Sequence, residues 1–125
     1  MASTDLDVLF NQLRDILKTY EGFLKPKKDE LGNYDLWSFK DLEIAGRKRK
    51  EVFFASLVTR KNYVGFYYMP IYTDTGLSEF FKPELLGLLK GKSCFHIKKL
   101  TPKLETQIKE ALELGYKLYQ KRGWV

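Results

Sequence analysis

The sequence predicts an α+β fold, in which an antiparallel sheet of four to five strands packs on one face against N- and C-terminal helices. Three observations lead to this prediction. Apolar residues recur at helical spacing near both ends of the chain, the central region is rich in β-branched and aromatic residues, and short turn sequences separate its strands. The 125 residues fit one domain, residues 1–125.

The two terminal helices are predicted over residues 4–22 and 102–122. Gly22 and Pro26 are predicted to end the first helix. Thr101 provides a hydroxyl cap at the start of the second helix, and Pro102 lies in its first turn. The apolar stripes of these helices face the sheet. The residues predicted to form the core are Leu9, Leu13, Phe53, Leu57, Phe95, Leu104, Ile108 and Leu112.

The strands are predicted at residues 34–39, 42–46, 51–59, 63–72 and 93–99. The two strongest, 51–59 and 63–72, form a hairpin whose connection is Arg60-Lys61-Asn62. Between the fourth and fifth strands, residues 83–89 are predicted to be helical. Both strands of the hairpin are apolar on both faces, which is typical of central strands or of strands with one face covered by a ligand or partner.

The balance of charges makes the protein basic, with 22 Lys and Arg against 16 Asp and Glu and a formal net charge of +6. This favours anionic partners. The densest cluster, Arg47 to Lys50, is predicted to be a solvated hairpin turn, and the alternative is a contact for nucleic acid or an acidic partner. At physiological ionic strength we expect this cluster to bind nucleic acid only weakly and without sequence preference.

The single cysteine, Cys94, cannot form an internal disulfide, which predicts a reducing, cytoplasmic location. No apolar stretch approaches the ~20 residues that span a bilayer, so no membrane association is expected.

The stretch "GLLKGKSCF" superficially resembles a phosphate-binding P-loop. In a P-loop four residues separate the first glycine from Gly-Lys-Ser, and the motif follows a strand and opens a helix. Here three residues separate Gly87 from Gly91, a helical segment precedes the motif, and a strand follows it. Lys92 and Ser93 are therefore predicted to begin a strand, and nucleotide hydrolysis is excluded.

Cys94 and His96 lie two residues apart, so they share one face of the predicted strand. A zinc site would need more ligands, and the chain contains no other cysteine or histidine. The carboxylates form no pair suited to general acid–base catalysis. The sequence thus predicts no enzyme, no catalytic residue, no metal site and no cofactor.

The strand over residues 63–72 suggests a binding surface. Tyr63, Tyr67 and Met69 share one face, whereas Val64, Phe66 and Tyr68 share the other. Since the helices can cover only one of these sets, the other is predicted to bind an anionic small molecule or a protein partner. The predicted site residues are Arg60, Lys61, Tyr63, Tyr67 and Lys82. The alternative is that this face closes a homodimer or a second core.

The segments "FFASLVTRKNYVGFYY" and "GKSCFHIKKL", followed by the amphipathic C-terminal helix, resemble the YdhG-like domain family. This is a broad bacterial group of small domains, mostly of unknown function. The resemblance runs from Val52 to the last helix, and its most specific features are the hairpin between Phe53 and Tyr67 and the strand entrance at Lys92 and Ser93.

The resemblance implies a helix–sheet–helix α+β fold without established catalytic residues. One branch of the family is described as frataxin-like iron chaperones, and this is the alternative function. Iron at an open site prefers oxygen and nitrogen donors, so such a role requires clustered surface carboxylates. This chain departs from that pattern, because it is basic and the acids of the first helix, Asp5, Asp7, Asp15 and Glu21, are interleaved with Arg14 and Lys18.

Overall fold

The structure, a computed structural model, describes residues 5–22, 24–40, 42–44, 46–73, 76, 79, 81–91 and 93–125. The prediction that Lys92 begins a strand lies outside the described residues.

The described residues form helices and short strands in an order close to the predicted one. The helices are α1 (Asp5–Lys18), α2 (Met69–Thr73), α3 (Pro83–Leu86) and α4 (Pro102–Lys121). The strands are β1 (Leu24–Lys25), β2 (Asp29–Glu30), β3 (Asn33–Ser38), β4 (Leu42–Ile44), β5 (Arg47–Arg49), β6 (Val52–Thr59), β7 (Val64–Tyr68), β8 (Leu89–Lys90) and β9 (Cys94–Ile97).

The main sheet is antiparallel and has the strand order β1-β3-β6-β7-β9-β8, with β2 paired to the other end of β3. Its four longest strands, β3, β6, β7 and β9, are strands that the sequence predicts. β4 and β5 pair separately as a two-stranded ribbon. The α+β class and the antiparallel sheet are therefore confirmed, and two-residue strands extend the sheet at its edges.

Both terminal helices pack on the same face of the sheet, which we call the inner face. The Tyr34 hydroxyl on β3 donates a hydrogen bond of 2.7 Å to Glu21, just beyond α1. On β6, the Phe54 ring contacts Tyr119 of α4 and Tyr20, which follows α1, at centroid distances of 5.3 and 6.2 Å. The predicted two-layer arrangement is thus confirmed.

Of the eight predicted core residues, seven are buried, and Phe53 is the exception. Leu36 pairs with Ala55 whereas Trp37 pairs with Phe53, so Phe54 is an extra residue that forms a β-bulge. The bulge turns Phe54 into the core and leaves Phe53 half-buried on the opposite face, 5.2 Å from the Trp37 ring. The prediction for Phe53 is wrong because strict alternation fails at a bulge.

The strand predicted over residues 63–72 ends at Tyr68, where α2 begins. Pro70 explains this correction, since proline has no N–H group for a strand ladder and fits the first turn of a helix.

Two further elements differ from the predictions. The helix predicted over residues 83–89 ends at Leu86, and Leu89 instead belongs to β8. Arg47–Arg49 form β5, and the turn before it contains Gly46 at a φ of 79°, so most of the basic cluster is strand where a turn was expected.

The predicted start of α4 is confirmed, and it supplies a first test. The Thr101 hydroxyl accepts a hydrogen bond of 3.1 Å from the Leu104 N–H group. Thr101→Ala is expected to lower the free energy of unfolding by about 1 kcal/mol, measured by urea denaturation, because an N–H group at the helix start loses its partner. Thr106→Ala is the control, since that exposed hydroxyl only donates to the Pro102 carbonyl. An equal loss in both variants would contradict the capping role.

Candidate functional site

The side chains of the sheet that point away from the helices form a second surface, which we call the outer face. Each of them alternates along its strand with residues that are buried on the inner face, and cross-strand pairing aligns them from one strand to the next. Within the described part of the chain, the helices all belong to the layer on the inner face. The outer face includes Lys25, Asn33, Asp35, Trp37, Phe53, Ser56, Val58, Tyr63, Gly65, Tyr67, Lys90, Cys94 and His96.

Arg60 and Tyr67 form the polar centre of this face. Arg60 follows β6 directly, and its guanidinium donates a hydrogen bond of 3.0 Å to the Tyr67 hydroxyl. Tyr67 pairs across the strands with Cys94, and its hydroxyl also interacts with the Cys94 sulfur. Burial is the largest influence on this thiol and raises its pKa, despite the opposing effects of Tyr67 and Arg60. Cys94 is therefore a protonated thiol at neutral pH, not an activated nucleophile.

Beside this centre, Tyr63 and His96 stack face to face, with ring centroids 3.9 Å apart and planes 13° from parallel. Gly65 lies between this stack and Tyr67, because it pairs with His96 and precedes Tyr67 by two residues. A β-carbon at Gly65 would lie only 3.2 Å from the Tyr67 ring. The glycine thus lets the Tyr67 ring lie close over the strand.

The positive charges of this hairpin have no acidic partners within the described residues. Arg60 and Lys61 are exposed, and no described carboxylate forms an ion pair with either. At the other end of the outer face, by contrast, Lys27 pairs with Glu51 and lies 3.8 Å from the centroid of the Trp37 ring. Arg60 and Lys61 therefore form a patch of positive charge at the Arg60 end of the face, unpaired among the described residues. The edge-strand residues Lys25, opposite Trp37, and Lys90, opposite Cys94, add further positive charge.

The structure brings Arg60, Tyr63 and Tyr67 together, with Lys61 in the same hairpin connection. Lys82 lies elsewhere, since it is the N-cap residue of α3 and lines a groove between α3 and α4 in the helical layer. Cys94 and His96, to which the sequence assigned no function, belong to the same cluster as Tyr67 and Tyr63. Their two-residue spacing was the signal that both face one side of β9.

A second feature is a groove of about 550 Å³ between the β8–β9 hairpin, α3 and the start of α4. His96 belongs to its lining as well as to the stack with Tyr63. This groove was not predicted from the sequence, because its lysines lie at the ends of two different strands and only the fold brings them to one surface.

Glu21 and Asp29 lie near one another, and both pair with the Lys18 ammonium. No group of three or more His, Cys, Asp or Glu side chains is placed in the described part of the chain to hold a metal ion. None of the described helices combines the length and the apolar character needed to cross a membrane.

Comparison with models of known protein families, with curated proteins and with solved structures finds no match to this chain. The resemblance to the YdhG-like family stays a prediction from the sequence.

Proposed function

We propose that this protein is a non-enzymatic binding domain whose ligand is a small amphipathic anion held on the outer face at the Arg60 end. We call this place, formed by Arg60, Lys61, Tyr63, Tyr67 and His96, the Arg60 site. One observation carries the proposal: an exposed guanidinium is oriented by a tyrosine hydroxyl and has no carboxylate partner among the described residues.

The chemistry of arginine indicates the anionic part of the ligand. A guanidinium presents donors in a planar fork that matches a carboxylate or a phosphate. Tyr67 occupies only part of this donor capacity, because it accepts a hydrogen bond from one terminal nitrogen of Arg60. Lys61, next in the chain and exposed, adds a second positive charge.

The surroundings of Arg60 indicate the apolar part of the ligand. Val58 pairs with Gly65 on the outer face and is half-buried, as are Tyr63 and Tyr67. Binding sites for small molecules commonly combine such apolar and aromatic surfaces with a few polar groups that fix orientation. A ligand with a carboxylate or phosphate on an aromatic body satisfies both parts of the site.

The same residues support binding without catalysis. Cys94 is protonated, and no described carboxylate pairs with Arg60. A role of this kind agrees with the YdhG-like resemblance, which we retain as part of the proposal and which implies no established catalytic residues.

The test is an NMR titration with naphthalene-2-carboxylate, and the neutral naphthalene-2-carboxamide is the matched probe. We expect the carboxylate to bind with saturable shifts of the Gly65 and Tyr67 amides, and the carboxamide to bind more weakly. Arg60→Ala should weaken binding of the carboxylate at least about tenfold, since a charged hydrogen bond is worth roughly 1.5–3 kcal/mol. Tyr67→Phe should weaken it about threefold, because the guanidinium loses its neutral partner.

Lys82→Ala is the control, because it removes an exposed positive charge from the helical layer. Equal losses in Lys82→Ala and Arg60→Ala would contradict the site, as would equal affinities for the acid and the amide or no saturable shift at all. A dimer in light scattering that Arg60→Ala converts to a monomer would favour the homodimer instead.

A further inference from the structure

The groove between the β8–β9 hairpin, α3 and α4 lies outside the proposed Arg60 site, apart from the shared His96. Its apolar lining is Leu88 and Leu104, and its polar lining includes Thr101 at the start of α4. The backbone N–H group of His96 donates to the Leu88 carbonyl at 3.0 Å, which fixes one wall to β9. The groove, with a volume of about 550 Å³, falls in the size range of small-molecule sites.

Three lysines line this groove: Lys90 at the end of β8, and Lys98 and Lys99 just after β9. All three are exposed, and none forms an ion pair with a described residue. On α4, by contrast, Lys109 and Lys117 pair with glutamates one turn away. The groove therefore concentrates uncompensated positive charge, which attracts an anion more strongly than the same charges dispersed over the surface.

Glu84 is the one carboxylate in the lining of the groove, and it is neutralised locally. The Lys103 ammonium lies 2.6 Å from one of its oxygens, and the Gln107 side chain donates a hydrogen bond of 3.0 Å to the other. The hydrogen bond from Lys103 and, to a smaller extent, the one from Gln107 lower the pKa of Glu84 to about 2. Glu84 is thus ionised at neutral pH and available to accept a hydrogen bond from a ligand hydroxyl, while its charge is offset by Lys103.

We propose that this groove binds a phosphorylated small molecule, with its phosphate between Lys90, Lys98 and Lys99. Lysine ammonium groups suit phosphate as compact positive charges, and three of them match the double negative charge of a phosphate monoester better than the single charge of a carboxylate. Leu88 and Leu104 contact the body of the ligand, and Glu84 accepts from one of its hydroxyl groups.

This proposal is independent of the Arg60 site, and the two can fail separately. The ligand of the groove contacts the lysines at the end of β8 and after β9, whereas the ligand of the Arg60 site contacts the hairpin between β6 and β7. A titration monitored by backbone amides therefore distinguishes them. Gly87, Leu88, Lys98 and Thr101 report on the groove, and Gly65 and Tyr67 report on the Arg60 site.

The probe is glucose 6-phosphate, with glucose as its unphosphorylated match, in a phosphate-free buffer at physiological ionic strength. We expect saturable shifts of the groove amides with the phosphate ester, no shifts with glucose, and no change at Tyr67. Lys98→Gln and Lys99→Gln should each weaken binding about tenfold, because each removes a charged hydrogen bond. Lys121→Gln is the control, since it removes an equal charge at the far end of α4, outside the groove.

Several results would overturn the proposal. An equal loss of affinity in Lys121→Gln would show that only the net charge matters, and non-saturable shifts would show that no site exists. Tighter binding of a single-stranded oligonucleotide to the groove amides, with a steep salt dependence, would identify a nucleic-acid surface instead. Absence of any shift with both glucose 6-phosphate and inorganic pyrophosphate would also exclude a phosphate site.

Discussion

Gly115→Ala is expected to lower the free energy of unfolding by about 3 kcal/mol, the upper end of the usual cost of overpacking a core. Gly115 lies within α4, where alanine normally favours the helix by about 1 kcal/mol. Here a β-carbon would overlap the Tyr68 hydroxyl and lie 2.7 Å from both the Tyr68 ring and Pro70. Tyr68 is buried and donates to the Ala111 carbonyl, so it cannot move aside without losing that bond.

Urea denaturation of Gly115→Ala measures this effect, provided that the slope of the unfolding free energy against urea concentration is the same as in the unsubstituted protein. The double variant Gly115→Ala with Tyr68→Phe is the control, because removing the hydroxyl relieves the shortest contact while Pro70 stays in place. We expect it to recover part of the loss. A stability gain in Gly115→Ala alone would mean that α4 does not approach β7 as described.

Phe54→Ala is expected to cost about 3–5 kcal/mol, the range for removing a fully buried aromatic ring. Phe54 is at the centre of an aromatic cluster on the inner face. Its ring meets those of Tyr20, Tyr68, Tyr116 and Tyr119 at centroid distances between 5.3 and 6.5 Å.

Phe53→Ala provides the matched comparison, since the two residues are adjacent and identical in type. Phe53 is half-buried on the outer face and contacts Trp37, so we expect less than half of the loss seen for Phe54→Ala. Thermal or urea unfolding of both variants measures the difference. Equal losses would contradict the bulge, because the bulge is what separates the environments of the two rings.

The terminal helices and the four longest strands could be predicted because their signals are local. Helical periodicity, the cap at Thr101 and the hairpin connection after β6 depend on residues near one another in the chain. The edge strands could not be predicted in this way. β1, β2 and β8 have two residues each and exist only because a longer strand lies beside them.

The candidate site was predictable in part for the same reason. Tyr63 and Tyr67 were assigned to one face by alternation along a single strand, and Arg60 was adjacent to that strand. The association of His96 with Tyr63 depends on the register between β7 and β9, which one strand does not encode. Lys82 was assigned by charge alone, and it lies at the start of α3 in the helical layer.

The bulge at Phe54 also determines how this protein would respond to insertions and deletions. In an uninterrupted strand, losing one residue reverses the face of every side chain beyond it. At Phe54 the extra residue of the bulge interrupts the alternation of side chains between the two faces. Val52 and Ala55 therefore both face inward, although they are three positions apart. Deleting Phe54 would leave both of them facing inward, whereas deleting Ser56 would turn one half of β6 inside out. One residue can thus be removed from β6 at Phe54 without changing which side of the sheet faces the helices. The deletion would, however, remove the ring at the centre of the aromatic cluster.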